Sequence, residues 1–283
     1  MQKVKIIADS TCDLGSELIQ RYDIDIAPLY VTLGQKSYRD AVEITSQEVL
    51  SYCERTKETP KTAATSVGDF IDVFRPYAEA GQDIVFLSIS ESMSATVQNA
   101  RIAAEEFPNC AIYCVNSQSL STGTGLLVIE AAERAEAGMD AKEIVREIEE
   151  LRDKVSVSFV LNTLTYLHRG GRCSGLTAFG AAMLGIKPKI SVQDGKMAPT
   201  DKFRGNIQRV MLRYLEKQLE NIERIRPERV FITYSTWEEA GLAEAVQRVR
   251  ATGYFREIHI TRAGSVVTSH CGPQTLGIMF LEK

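Results

Sequence analysis

The sequence predicts an α/β protein: a mostly parallel sheet with flanking helices in the first half, and a mixed α/β arrangement in the second. Three observations predict it. Through the first half, apolar runs of about five residues alternate with amphipathic stretches at helical spacing, the pattern of βαβ units. In the second half an Asp194-Gly195 pair separates two extended runs, a hairpin signal foreign to a purely parallel sheet. The 283 residues exceed one small core and suit two domains, 1–154 and 155–283, with the boundary near Lys154.

In order, residues 4–8 read as a buried strand and 15–22 as a helix capped near Asp13. Residues 25–33 read as one extended segment. Helices follow at 45–55 and 67–80, the first opening at Thr45 and Gln47. A strand at 83–87 leads into a helix at 94–106, and a strand at 111–115 into a helix at 123–137. The helix at 141–154 takes Asp140 as its N-cap. Beyond it, 155–161 is strand-like and 163–168 helical, stopping at Gly170-Gly171. Residues 175–184 are apolar on all sides and so belong in the interior or along a pocket. Strands at 189–193 and 196–199 flank the hairpin turn. A helix at 206–222, a strand at 229–234, a helix at 237–252 and strands at 257–262 and 275–281 complete the chain.

Composition narrows the function. Apolar residues at 44% and charged residues at 25% are ordinary for a globular protein. A net charge of −4, with no Lys/Arg run interleaved with aromatics, argues against nucleic acid as a partner. The six cysteines form no C-x-x-C pair, and no His lies near Cys110 and Cys114 at zinc spacing, so reduced thiols and no metal are expected. The chain opens directly on a strand-like run, without a charged and then apolar leader. Its most apolar stretch, 176–186, is shorter than the roughly 20 residues that span a bilayer. The cytoplasm is the expected location. There is no G-x-x-x-x-G-K-[ST]. Gly123-Thr124-Gly125 is followed by Val128 where a dinucleotide fingerprint needs Gly, so those glycines read as close packing and no cofactor is expected.

Small hydroxyl residues gather where strands run into helices. Ser10 and Thr11 follow the first strand. Thr62, Thr65 and Ser66 precede the 67–80 helix. Ser88, Ser90, Ser92, Ser94 and Thr96 follow Leu87, and Ser117, Ser119, Ser121 and Thr122 follow Val115. In an open parallel sheet, ligands bind beyond the carboxyl ends of the strands, where helix N-termini favour an anion. No Lys or Arg lies inside these clusters, so neutral donors would hold the anion, which suits one carboxylate better than a triphosphate. The alternative is that these residues are only caps and turn formers. The basic candidates, Arg172, Arg204 and His270, all lie in the second half; His168 and His259 read as structural.

Taken together the motifs resemble the DegV family over nearly the whole chain. They are Asp9-Ser10-Thr11-Cys12-Asp13-Leu14, the stretch from Thr62 to Phe70, Ser94-Ala95-Thr96, and Asn116-Ser117 with Ser121-x-Gly123-x-Gly125. Tyr166-Leu167-His168-Arg169-Gly170-Gly171-Arg172, Ile186-Lys187-Pro188 with Asp194-Gly195, and His270-Cys271-Gly272-Pro273 follow in order. The better-characterised members of that family are the fatty-acid-binding subunits of bacterial fatty acid kinase. The resemblance implies two α/β domains with a long-chain fatty acid between them. It implies a carboxylate bound by Thr62 and Ser94, with Thr96, Ser10, Thr11 and His270 as further ligand-binding candidates. It implies that Arg172, Arg204 and His270 face a cytoplasmic kinase subunit, which would supply ATP and phosphorylate the carboxylate to an acyl phosphate. The chain would not be an enzyme alone, and transient membrane contact fits the same role. Residues 175–184 would line the acyl tunnel. The sequence departs from the family pattern at Ala63, Ala64-Thr65, Ala95, Val97 and Asn116, so a head-group donor is either lost or supplied by Thr65 or Ser66. Rival readings are a hydrolase built on Ser94, His270 and Asp9, which lacks a G-x-S-x-G elbow, and a lipid store with no kinase partner.

Overall fold

The computed structural model describes residues 4–173 and 185–283; the apolar stretch expected at 175–184 therefore lies outside the described residues. The first half builds a four-stranded parallel sheet from β1 (Val4–Asp9), β2 (Asp25–Ala27), β6 (Asp83–Ser88) and β7 (Ile112–Asn116), in the order β2-β1-β6-β7. Alternation along these strands decides what covers each face. Ile7, Ile84 and Phe86 point to one side, where they meet Phe70 and Phe74 of α3 (Val67–Glu79) and Ala100 and Ala103 of α4 (Thr96–Ala104). Ile6, Ala8, Val85 and Leu87 point to the other, against α5 (Thr122–Glu136) and α6 (Ala141–Arg152).

The second half builds a six-stranded mixed sheet, β10-β9-β8-β13-β11-β12. Its strands are β8 (Val155–Val160), β9 (Ile186–Gln193), β10 (Lys196–Arg204), β11 (Ile225–Tyr234), β12 (Glu257–Arg262) and β13 (Leu276–Glu282). Only β11 and β12 run parallel; the other pairs are antiparallel. One face packs against α8 (Ile207–Leu219) and α9 (Glu239–Arg250) through Tyr214, Leu215, Val246 and Val249. The other shares a core with α5, which touches β1 and β6 on one side and β8 and β13 on the other. Twelve of its fifteen residues are buried, because it is covered from both sides. Gly123 permits this: a Cβ there would lie 2.3 Å from Cγ2 of Val157.

A third, three-stranded antiparallel sheet joins β3 (Tyr30–Leu33), β4 (Lys36–Arg39) and β5 (Lys61–Ala63) in the order β4-β3-β5. It packs with α2 (Ser46–Thr56) and α10 (Ser265–Cys271) around Leu29, Val31, Val49 and Val266. Two short helices, α1 (Ser16–Arg21) and α7 (Thr165–Gly170), complete the fold.

The α/β class and the mixed second sheet are as the sequence predicts. The differences have local causes. The single extended segment at 25–33 is two strands in two sheets, split at Pro28, which has no amide to continue a ladder. The hairpin strands are longer than expected because β9 and β10 pair from Ile186 to Arg204. The helix expected from residue 94 starts at Thr96, and the one expected from 237 starts at Glu239. β4, β5 and α10 carry no sequence signal strong enough to be anticipated. Among the described residues no helix is long and apolar enough to cross a membrane.

Candidate ligand-binding site

A cavity of about 220 Å³ opens where β6 and β7 end, bounded by the small sheet and by α10. Its walls are mainly apolar: Leu29, Ile89, Met93 and Leu120 from the first half, Met197, Val266 and Val267 from the second. Its polar side chains are few: Thr62, Ser94, Arg172 and His270. Thr62 on β5 and His270 on α10 meet through Thr62 Oγ1 and His270 Nε2, 2.8 Å apart. Ser94 lies on the loop before α4 and shares a 2.8 Å hydrogen bond with Thr96. The N-cap of α4 is Ala95, which has no side chain to offer the first-turn amides. Donors left open in this way suit an anion. Arg172 is exposed at the rim, its Nη1 donating to the Gly170 carbonyl at 2.6 Å.

His270 is held neutral. Burial, and then the charge of Arg172, push its titration down to about 4. Its Nδ1 is buried with no hydrogen-bond partner among the described residues and faces Gly170, where a Cβ would lie only 2.3 Å away. Neutral imidazole, two hydroxyls and open amides can hydrogen-bond a carboxylate while leaving one rim cation to face outward.

The structure brings Thr62, Ser94, Arg172 and His270 to one cavity and leaves the other candidates elsewhere. Ser10 and Thr11 do not line it. Ser10 Oγ donates to Asp40 at 2.8 Å and accepts from the Leu29 amide, while Thr11 binds Asp9 through both its amide and its hydroxyl. Both side chains are buried in those bonds. Thr96 is buried behind Ser94. Arg204 is exposed at the end of β10, away from the cavity walls. Neither Thr65 nor Ser66 replaces the missing loop donor: Thr65 Oγ1 donates to Pro28 O at 2.8 Å, and Ser66 caps α3. The hydrolase triple is not assembled either, because both Asp9 oxygens serve Thr11, Ser88 and the Ile89 amide, and His270 faces Thr62. A second, much smaller chamber of about 20 Å³ lies between the sheets and shares Leu120, Val267 and Cys271 with the first. Sequence reasoning missed the apolar wall, since most of it comes from loops and from α10, where no periodicity marks it, and Met197 joins it from β10.

The model of a family described as uncharacterised DegV family proteins matches residues 3–283. This chain belongs to the DegV family. A DegV domain-containing protein of Clostridium perfringens is 31% identical over 283 residues, covering 100% of both chains. Among solved structures, a fatty-acid-binding DegV family protein from Thermus thermophilus superposes with a TM-score of 0.91 at 32% identity, covering 99% of this chain and 100% of that one. A stearic-acid-binding protein from Eubacterium ventriosum superposes with a TM-score of 0.87 at 26% identity, covering 99% and 98%.

Proposed function

We propose that this DegV family protein binds a long-chain fatty acid in the cavity and presents its carboxylate to a partner kinase for ATP-dependent acyl phosphate formation. The observation that carries the reading is the make-up of the cavity: mainly apolar walls, with the Thr62–His270 pair and Ser94 on the lining and exposed Arg172 at the rim. Burying a sixteen-carbon chain gains roughly 10 kcal/mol gross at about 0.8 kcal/mol per methylene. Lost translation and chain freedom subtract several kcal/mol. Charge-assisted hydrogen bonds of about 1.5–3 kcal/mol each then orient the head group without a buried cation.

The described cavity is smaller than the roughly 300–1,000 Å³ usual for ligand pockets. The second chamber behind Leu120 and Val267 adds only about 20 Å³, so a full chain would run toward it along the wall those residues share and widen that path as it enters. The bound carboxylate is already ionised near neutral pH and is the nucleophile toward the γ-phosphate of ATP. A new O–P bond forms as the bond to the ADP leaving group breaks, with ATP and metal supplied by the partner. This protein's share is positioning, with Arg172, Arg204 and His270 as the partner-facing groups. Transient contact with a membrane would load the site.

Denaturing mass spectrometry of the purified protein tests the ligand: a long-chain fatty acid in near-stoichiometric amount is expected, and its absence after loading with free fatty acid defeats the reading. Ala substitution at Arg204 and at His270 tests the partner-facing role. Partner-dependent phosphorylation that persists unchanged, with fatty acid still bound, removes those residues from it.

A further inference from the structure

Three carboxylates, those of Asp9, Asp13 and Asp40, are buried near the start of the fold and bonded by neutral donors. Two of them converge on one peptide far along the chain. Asp13 Oδ1 accepts from the Gly264 amide at 2.8 Å, and Asp40 Oδ1 accepts from the Ser265 amide at 2.8 Å. A Cβ on Gly264 would lie 3.1 Å from Asp13 Oδ1 and 3.4 Å from Asp40 Oδ2. Each carboxylate is braced from behind, Asp13 by the Ser121 hydroxyl and Asp40 by the Ser10 hydroxyl.

These amides begin α10. The helix has seven residues, Ser-Val-Val-Thr-Ser-His-Cys, rich in β-branched and hydroxyl side chains that favour helix weakly. A helix so short and so composed does not hold itself in place. Its last turn carries His270 and Cys271, and its first turn carries Val266 and Val267, all four on the cavity wall. From Ser265 to His270 the rise is about 7.5 Å, so a shift at the first amide is delivered to the imidazole.

We propose that Asp13 and Asp40 are positioning residues for the carboxylate site: they clamp the first amides of α10 and, through the helix, set His270 against Thr62. The inference rests on the reading that the cavity takes a fatty acid. Of the groups that face the imidazole, Arg172 is charged, while Thr62 on β5 and Gly170 on α7 are neutral.

The test combines NMR titration of the His270 ring with the binding preference for hexadecanoate over hexadecanol. In Asp13→Ala and Asp40→Ala the ring, released from its burial, is expected to titrate about one unit or more above the wild-type value. The hexadecanoate preference is expected to fall about fivefold or more, because a misplaced head-group partner matters to the acid and not to the alcohol. Asp13→Asn and Asp40→Asn keep an oxygen for the backbone amide and are expected to stay near wild type in both readouts. A merely structural loss would weaken acid and alcohol alike and leave the preference intact, which overturns the proposal. Folded Ala variants with an unmoved ring, or Asn variants that move as far as Ala, also overturn it. If the Ala variants do not fold, Ser121→Ala and Ser10→Ala remove the braces instead; a smaller shift of the same sign supports the clamp, and no shift overturns it. Should wild type bind neither ligand, the fatty-acid reading fails, and the ring titration still decides the clamp.

Discussion

The pH behaviour of His270 and Asp13 runs in opposite directions, and the windows separate them. An unfolded His titrates near about 6.5. Burial and Arg172 lower His270 to about 4, so its contribution to stability is present above the unfolded value and is lost as pH falls through that window. Asp13 is pushed up to about 8, chiefly by burial, so its contribution is present at low pH and is lost as pH rises toward that value. From about pH 6.5 upward the effect of the imidazole fades, and it is neutral in both states above about pH 7.5, so toward pH 8 the carboxylate dominates. Urea unfolding across this range is expected to show stability falling with pH in wild type and a flatter profile in Asp13→Asn; equal slopes would show that Asp13 is already ionised when folded. A ligand carboxylate adds a second effect, because an anion beside His270 favours its protonated form. Fatty-acid affinity is therefore expected to rise as pH is lowered from about 6 to 5 in wild type, as the ring nears its own range, and to lose that dependence in His270→Gln. At this scale the candidates carried by local motifs, Thr62, Ser94, Arg172 and His270, all border the cavity. Ser10 and Thr11 misled because the carboxylates that take their hydroxyls, Asp40 and Asp9, give no sign in the sequence of being acceptors inside the fold.

Helix α10 is the element the sequence hides and the site most needs. Its residues carry a weak helical signal, its N-cap is a glycine, and its cap acceptors sit more than two hundred residues upstream. No reading of local propensity could find it, since tertiary contacts decide it. β5 is hidden for the same reason: three residues become a strand only by pairing with β3, which places Thr62 beside His270. Among the longer elements, α3 and α6 were legible because each buries a periodic face, and β1, β6 and α5 because they are apolar runs covered on both sides. α10 also depends on α7, whose Gly170 lets the imidazole approach the helix backbone. A methyl there meets a rigid ring rather than the flexible end of a side chain, so the ring or α7 must move. Gly170→Ala is expected to destabilise the fold by about 1–3 kcal/mol and to weaken hexadecanoate binding about tenfold, measured by denaturation and by ligand titration. Wild-type affinity in the variant would mean that His270 does not fix the head group.

On the scale of the whole molecule, the layers run helix, sheet, helix, sheet, helix, with α5 as the middle layer that touches both sheets and one core continuous through it. Arg229 of β11 reinforces that middle layer by pairing with Glu133 and Glu130 of α5. The cavity takes walls from both sides of this stack, so a bound chain joins them, and loading should stabilise the entire protein rather than one sheet. At a free ligand concentration about a hundred times Kd the gain is about 2.7 kcal/mol. For a chain of this size that corresponds to a melting temperature about 5 °C higher than in delipidated protein. Val267 borders both the larger cavity and the chamber behind it, so under the proposed reading it would limit how far the chain reaches. Val267→Phe adds bulk at that shared wall and is expected to turn preference from sixteen- and eighteen-carbon acids toward those of about twelve, while the head group still sits at Thr62 and His270. Thermal shift with an acid series reads both effects at once. If the variant is stabilised by eighteen carbons as strongly as wild type, the chain does not pass Val267, and the tail lies in some other direction from the same mouth.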